Sequence, residues 1–359
     1  MASSGSTPVR EPRHPRRSRE LPVTPAGWPL GAWITGCALA EGIGMTAAAA
    51  AARTADTLQA HGHGPAVALA VVVAGGLVEG VALGVLQAAA LRSLLERPAA
   101  LRWALVTLVV AGLGWAAASA PAVAGSSGGN ADGTTRPSLL LIAAGAVALG
   151  AVLGAALGAA QSTSLRHRAA KPWRWVWISG VGWAAAMPVI FLGASLPSAN
   201  TPTAVVVVAG TGTGLLAGAL LGSVTGVLLP SLGGQPVVNT LLLQLLASPA
   251  HRVVDRSLLA LRVTGTVTGR TFTLPVQYAT DESSIVVLPG HHERKRWWRN
   301  LRGGADVAVL LDRRWAPGHG RVLSPGDAGY DAAASTYRRR WPHAVLSEDQ
   351  PLVRVVRRR

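Results

Sequence analysis

The chain has 359 residues, half of them apolar and only 14% charged, with a formal net charge of +16. So much apolar content with so little charge is unusual for a soluble protein and points to a membrane protein with room for two domains. A lone cysteine, Cys37, set in an apolar run, excludes a disulfide framework, a thiolate zinc site and an iron–sulfur cluster.

The charge is unevenly spread. Residues 1–27 carry five Arg against two Glu, residues 28–230 nine basic against five acidic, and residues 231–359 nineteen basic against ten acidic. Much of it lies beside apolar helices, where anionic lipid headgroups are a ready partner, and no nucleic-acid partner is expected. Residues 1–27, rich in Ser, Pro and Arg, lack the apolar content to fold and read as a disordered basic tail.

Six apolar segments follow, at Trp28 to Ala52, Pro65 to Ala90, Trp103 to Ala122, Ser138 to Ala160, Trp175 to Leu196 and Thr203 to Leu229. Each is about the twenty residues that cross a bilayer as a helix. Loops on the tail's side hold Arg92, Arg97 and Arg102, then Arg166, Arg168, Lys171 and Arg174, whereas the opposite loops hold only Arg53 and Arg136. The positive-inside rule therefore places both termini in the cytoplasm, with the six spans in the cell membrane. Trp28, Trp103, Trp173 and Trp175 fall at the cytoplasmic ends and read as interfacial aromatics.

The membrane part repeats internally. Gly-Trp recurs at 27/28, 114/115 and 182/183, and Leu-Gly-x-x-Gln appears at Leu83 to Gln87 and Leu157 to Gln161, with Leu221 to Thr225 as a weaker third copy. Three tandem helix pairs is the simplest reading. Gly150-x-x-x-Gly154-x-x-x-Gly158 suits close helix approach, although Gly-rich composition alone accounts for it equally well. Glu41 and Glu79 stand inside the first two spans. Ionisable groups at that depth are costly, so the choice lies between proton or polar-substrate passage and a packing role satisfied by neighbouring helices. Gln87 and Gln161 are the other polar groups singled out within the membrane. No His falls in the six spans, which disfavours a transmembrane haem.

After Pro230 the composition shifts. Residues 231–256 read as a Gly/Pro linker and a short amphipathic helix, Val237 to Leu246, lying along the membrane surface. From Ser257 onward strands are expected near Leu258 to Thr266, Arg270 to Thr280, Ser283 to Pro289, Ala305 to Leu311, Gly320 to Ser324 and Leu352 to Val356. Helices are expected near Arg294 to Leu301 and Pro325 to Arg340. Such a pattern suits a small barrel. The chain is thus multidomain, an all-α six-helix membrane domain followed by an α+β barrel.

One stretch of the barrel carries recognisable chemistry. Gly265, Gly269 and Pro275 frame a turn that includes Thr268, Arg270 and Thr271, followed by Pro289, Gly290 and His291 and then by the basic, aromatic run Arg294, Lys295, Arg296, Trp297, Trp298, Arg299 and Asn300. A Gly-rich turn exposes backbone N–H groups to a phosphate, nearby Arg adds charge-assisted bonds, and a Trp covers a flat ring. The spacing of the two glycines and the proline, together with Trp297 to Leu301, resembles the deazaflavin-dependent nitroreductase and quinone reductase family over residues 240–357. The resemblance implies a split β-barrel related to flavin-binding barrels, coenzyme F420 as cofactor with FMN as the alternative, and hydride transfer to a menaquinone-like or nitro acceptor. It departs from the family pattern at Thr266, Val267 and Phe272 and in a shorter cofactor loop. Tyr330 and Tyr337 are the candidate proton donors. The expected partners are the bilayer, the acceptor and, as a possible homodimer, a second copy of the chain. The rival expectation is a non-enzymatic membrane transporter or sensor carrying a degenerate ligand-binding barrel.

Overall fold

The computed structural model describes residues 30–92, 95–125, 138–198, 200–267, 269, 271–281 and 283–357. The expected tail, Gly27, Trp28, Arg136, Thr268 and Arg270 lie outside these residues. Six helices are long and apolar enough to cross a membrane: α1 (Leu30–Ala60), α2 (Pro65–Ala90), α3 (Arg97–Gly125), α4 (Leu139–Leu165), α5 (Arg174–Ser195) and α6 (Thr203–Leu228). The chain is a multi-pass membrane protein.

The helices close into a ring. Each packs on its sequence neighbours, and α6 returns to pack extensively on α1. Glycine makes the close contacts. The spacing Gly-x-x-x-Gly-x-x-x-Gly occurs in all three even-numbered helices, as Gly76, Gly80 and Gly84 of α2, Gly150, Gly154 and Gly158 of α4, and Gly214, Gly218 and Gly222 of α6. Each triplet lies against the next odd-numbered helix around the ring, where added side chains would collide with backbone or β-carbon atoms. A Cβ on Gly84 would stand 2.9 Å from the Ala104 carbonyl oxygen, one on Gly158 2.7 Å from that of Trp175, and one on Gly222 2.8 Å from the Ile34 Cα. The glycines are therefore packing devices, not an accident of composition.

A second set of contacts shows the same threefold order. Trp33 of α1, Trp103 of α3 and Trp175 of α5 each donate an indole N–H to the preceding even-numbered helix. Their acceptors are Thr225 Oγ1 at 2.9 Å, Gln87 Oε1 at 3.2 Å and Gln161 Oε1 at 2.7 Å. The Gly-Trp pairs are not the register of the repeat, because Trp115 stands twelve residues after Trp103 whereas Trp183 stands eight after Trp175. Nor are Trp103 and Trp175 interfacial. Both are buried, with Trp175 packed edge-on to Trp33 at 5.8 Å and tilted against Trp103 at 5.5 Å. Trp173 is exposed. Burial is tolerated because each indole N–H has an acceptor.

Beyond α6, a 3-10 turn at Leu229–Gly233 leads to α7 (Val237–Ala247) and a second turn at Pro249–Val253. Arg174 ties this segment to the bundle by donating to the carbonyls of Ser231 at 2.8 Å and Gln235 at 2.5 Å. One face of α7 is taken up by the barrel, since Leu243 and Leu246 pack on Ala260 and Leu310.

The C-terminal domain is a closed antiparallel barrel of β1 (Leu258–Thr264), β2 (Thr271–Thr280), β3 (Ser284–Val287), β4 (Ala305–Leu311), β5 (Arg314–Leu323) and β6 (Leu352–Arg357), in the order β1-β2-β3-β6-β5-β4. Alternation sorts its faces. Leu259, Leu261, Val263, Val307, Val309, Val353 and Val355 share one core with Trp298 and Leu301. Ala279, Val286 and Leu352, on the other face, meet α8 (Tyr330–Arg340). Three expected boundaries move. The Arg294 helix shrinks to a 3-10 turn at Trp297–Leu301, α8 begins at Tyr330 rather than Pro325, and β5 begins at Arg314 rather than Gly320. The last shift arises because Asp312 and Arg313, both with positive φ (47° and 63°), turn the chain between β4 and β5 without the usual glycine.

Candidate functional site

The run Trp297–Leu301 seals one end of the barrel. Trp298 is buried in the core, donates its indole N–H to the His292 carbonyl at 3.1 Å and meets the His292 ring edge-on. Trp297, next along, is half-buried against the same core. Beside Trp298 opens a cleft of about 690 Å³ that also takes in His292, Arg299, Arg302, Arg321 and Asp349. The Arg299 and Arg302 guanidinium carbons lie 5.5 and 5.0 Å from the Trp298 ring centroid, within cation–π range.

The charges in this cleft are not equivalent. Asp349 accepts from Ser347 Oγ at 2.9 Å and is 3.2 Å from His292 Nε2, and Asp327 accepts from the Ser324 amide at 2.8 Å. Arg299, Arg302 and Arg321 have no carboxylate partner among the described residues. Glu293 also lines the cleft, and the three guanidinium groups without a carboxylate partner among the described residues present donors for an anion beside a Trp face for a ring.

The residues singled out in the sequence divide around this cleft. Trp298 lines it, with Arg299 beside it; Lys295 and His291 are exposed on the loop before it. The Asn300 side chain accepts from the Thr266 amide at 3.0 Å and from its hydroxyl at 3.2 Å, so Asn300 pins the β1–β2 hairpin to the end of the barrel. Within that hairpin the Gly269 amide donates to the Gly265 carbonyl at 2.8 Å. The amides of Thr266 and Gly269 are thus spoken for within the chain. Thr271 closes the hairpin with its hydroxyl 3.3 Å from that of Thr264, and Pro275 pairs in register with Ala260. The Pro289 carbonyl accepts from Gln350 at 3.2 Å, and a side chain on Gly290 would meet open space.

Neither tyrosine lines the cleft. Tyr330 donates to the Gln350 carbonyl at 2.9 Å, and Tyr337, 1% exposed, donates to Gln277 Oε1 at 3.1 Å. Burial pushes the Tyr337 hydroxyl up to about 12 from its ordinary 10. The folded protein therefore holds a proton that the unfolded chain releases between those values. The resulting contribution is intact below pH 10 and is lost as pH rises towards 12. Tyr337→Phe should flatten the decline in melting temperature between pH 9.5 and 11.5 in scanning fluorimetry of the full chain. An unchanged slope would show that other groups set it.

Arg262 of β1 was not anticipated. Its guanidinium lies 4.0 Å from the Trp315 ring centroid, and its buried Nε and Nη2 have no acceptor among the described residues; burial pushes its pKa down. The alternation of β1 was the available signal, because position 262 falls on the face shared with Ala260, toward α7.

In the membrane domain, Gln87 and Gln161 belong to one network. The Gln161 amide donates to Gln87 Oε1 at 3.2 Å and to Thr107 Oγ1 at 2.8 Å, in addition to the tryptophan bonds above. Glu79 accepts from the Trp115 indole at 2.8 Å. Glu41 is fully buried, and neither carboxyl oxygen has a hydrogen-bond partner among the described residues. Set beside models of known protein families and beside curated proteins, the chain matches none.

Proposed function

We propose that the chain is a membrane-anchored oxidoreductase. In this reading its barrel holds a reduced deazaflavin of the coenzyme F420 type, or FMN, and serves a quinone or nitro-type acceptor at the cytoplasmic face of the cell membrane. The observation that carries this reading is the set of unpaired guanidinium groups of Arg299, Arg302 and Arg321 around buried Trp298. Its volume of about 690 Å³ falls in the range of about 300–1,000 Å³ usual for cofactor pockets. The donor set suits a phosphate or polycarboxylate tail, with Trp298 against a flat ring. The hairpin contributes less than the family pattern implies, because the Thr266 and Gly269 amides are already bonded within the chain.

The bound deazaflavin or flavin would supply a two-electron hydride donor. The residues of the chain supply the rest. Arg299, Arg302 and Arg321 bind and orient the anion, the sealed barrel end around Trp298 and Leu301 excludes water from one side, and the membrane domain holds the site at the bilayer surface, raising its effective concentration towards a lipophilic acceptor.

Fluorescence titration of the full chain in mild detergent tests the proposal. F420 or FMN should bind with a micromolar Kd, and Arg299→Ala combined with Arg302→Ala should weaken binding at least tenfold, the equivalent of about 1.4 kcal/mol. Reduced F420 should then be oxidised on adding a soluble menaquinone analogue. If neither cofactor binds, the oxidoreductase reading is wrong. A second reading, in which the membrane ring itself acts on a ligand, is favoured by the unpartnered carboxyl of Glu41.

A further inference from the structure

The ring of helices is hollow. A cavity of about 440 Å³ opens among the ends of α1, α5 and α6 distant from the barrel, where it takes in Arg53 and Asp56. A deeper one of about 290 Å³ is lined by Leu83, Leu157, Trp183, Phe191 and, as its one ionisable residue, Glu79. The two share Met45, Trp115 and Ala194, so they are contiguous. Toward the barrel the space ends. Gln87 and Gln161 lie one helical turn past the lining Leu83 and Leu157, and their hydrogen bonds to each other and to Trp103 and Trp175 plug the ring.

Glu41 lies one turn from Met45, on the side of the plug, fully buried and with both oxygens unpartnered. Glu79 packs on the same helix one turn further along, where a Cβ on Gly44 would stand 2.6 Å from the Glu79 Cβ. The charges around this pair are few. Besides these two acids, α1 offers Cys37 and, at the outer mouth, Arg53 and Asp56. Helices α4 and α6 have no ionisable residue, and α3 and α5 have only Arg97, Arg102 and Arg174, all at the barrel end. Arg53 is held by the carbonyls of Ser198 and Thr201 and lies 3.9 Å from Asp56. Two carboxyl groups thus stand in an apolar interior with no cation beside them among the described residues.

Buried carboxylates are tolerated only when neutralised, by a proton or by a cation. A small metal ion requires several oxygen ligands, and the cavity wall is almost entirely hydrocarbon and aromatic. Trp183, Phe191 and the Trp115 ring instead match the surface of an organic cation, whose charge the carboxyl balances. We propose that the cavity is a binding site for a monovalent hydrophobic organic cation, which enters from the side distant from the barrel and displaces one carboxyl proton at Glu79. One proton leaves as one positive charge arrives, so the site stays neutral. This inference does not rest on the oxidoreductase reading of the barrel.

Equilibrium dialysis of the full chain in detergent, with tetraphenylphosphonium as probe and a detergent blank, tests it. Micromolar binding is expected at pH 8, falling about tenfold per pH unit once the carboxyl is protonated, while tetraphenylborate, of the same shape and opposite charge, should not bind. Glu79→Gln should weaken binding at least tenfold with the melting temperature retained. Should that variant fail to fold, proton release from the wild-type protein in weak buffer decides, with about half a proton expected per cation bound at the midpoint of the pH profile and close to one a full pH unit below it. Binding that is indifferent to pH and releases no proton, equal binding of the borate, or full binding by a folded Glu79→Gln variant would each overturn the proposal.

Discussion

Gly218→Val should prevent the membrane domain from assembling. The α-carbon of Gly218 faces the Cys37 carbonyl of α1, and a Cβ there would overlap that oxygen and stand 2.8 Å from the Ala38 Cα. Both obstacles are backbone, so neither can move without parting α1 from α6. Overpacking of a core costs about 1–3 kcal/mol and more where the backbone must shift. The seam also holds the Trp33–Thr225 hydrogen bond, at 2.9 Å, which would be lost with it. Scanning fluorimetry of the full chain in detergent should show the cooperative transition lowered by many degrees or absent. Gly145→Ala is the contrast, because a Cβ at that exposed α4 position meets nothing within 4 Å. Alanine there should be neutral or stabilise by about 0.5–1 kcal/mol through its better helix propensity. If Gly218→Val melts like Gly145→Ala, the glycine-mediated seam is not what holds the ring.

Trp298→Ala should have the largest effect in the barrel. The side chain is 6% exposed, belongs to the same core as Leu259, Val309 and Val353, and also forms the wall on which Arg299 and Arg302 rest. Truncating a buried Trp costs about 3–5 kcal/mol. The loss of the indole donor additionally frees the loop carbonyl of His292. Two readouts separate the consequences. Limited proteolysis should cut the C-terminal domain faster in the variant, and F420 or FMN binding should fall by more than in the Arg299→Ala, Arg302→Ala double variant. Trp298→Phe should recover most of the protease resistance but less of the binding. Full resistance in Trp298→Ala would place this residue outside the core.

The membrane spans were legible because a long apolar run has few alternatives to a helix, and α2 was bounded correctly at both ends by Pro65 and by the basic loop after Ala90. The barrel strands were legible by alternation except at β5, where Asp312 and Arg313 turn the chain with no glycine to mark the turn. The pairing of Trp33, Trp103 and Trp175 with Thr225, Gln87 and Gln161 was not legible. Which side of each helix faces its partner is set by packing, and for Trp33 and Thr225 only by closure of the ring, while the more conspicuous Gly-Trp dipeptides pointed to a different register. The cleft was half legible. Trp298 and Arg299 stand out as a local run, but Arg321 reaches the same space from the far end of β5, a convergence that only tertiary structure provides.

The contact between α1 and α6 also dictates an order of events during synthesis. The Trp33 indole and the backbone of Ile34, Cys37 and Glu41 have their partners on the last of the six spans, so this side of α1 waits in the bilayer through the insertion of four intervening spans. That backbone is covered only when Gly214, Gly218 and Gly222 arrive. Until then the nascent chain is a natural client for the membrane insertion machinery, and the barrel, translated afterwards, begins to fold on a bundle that has just closed.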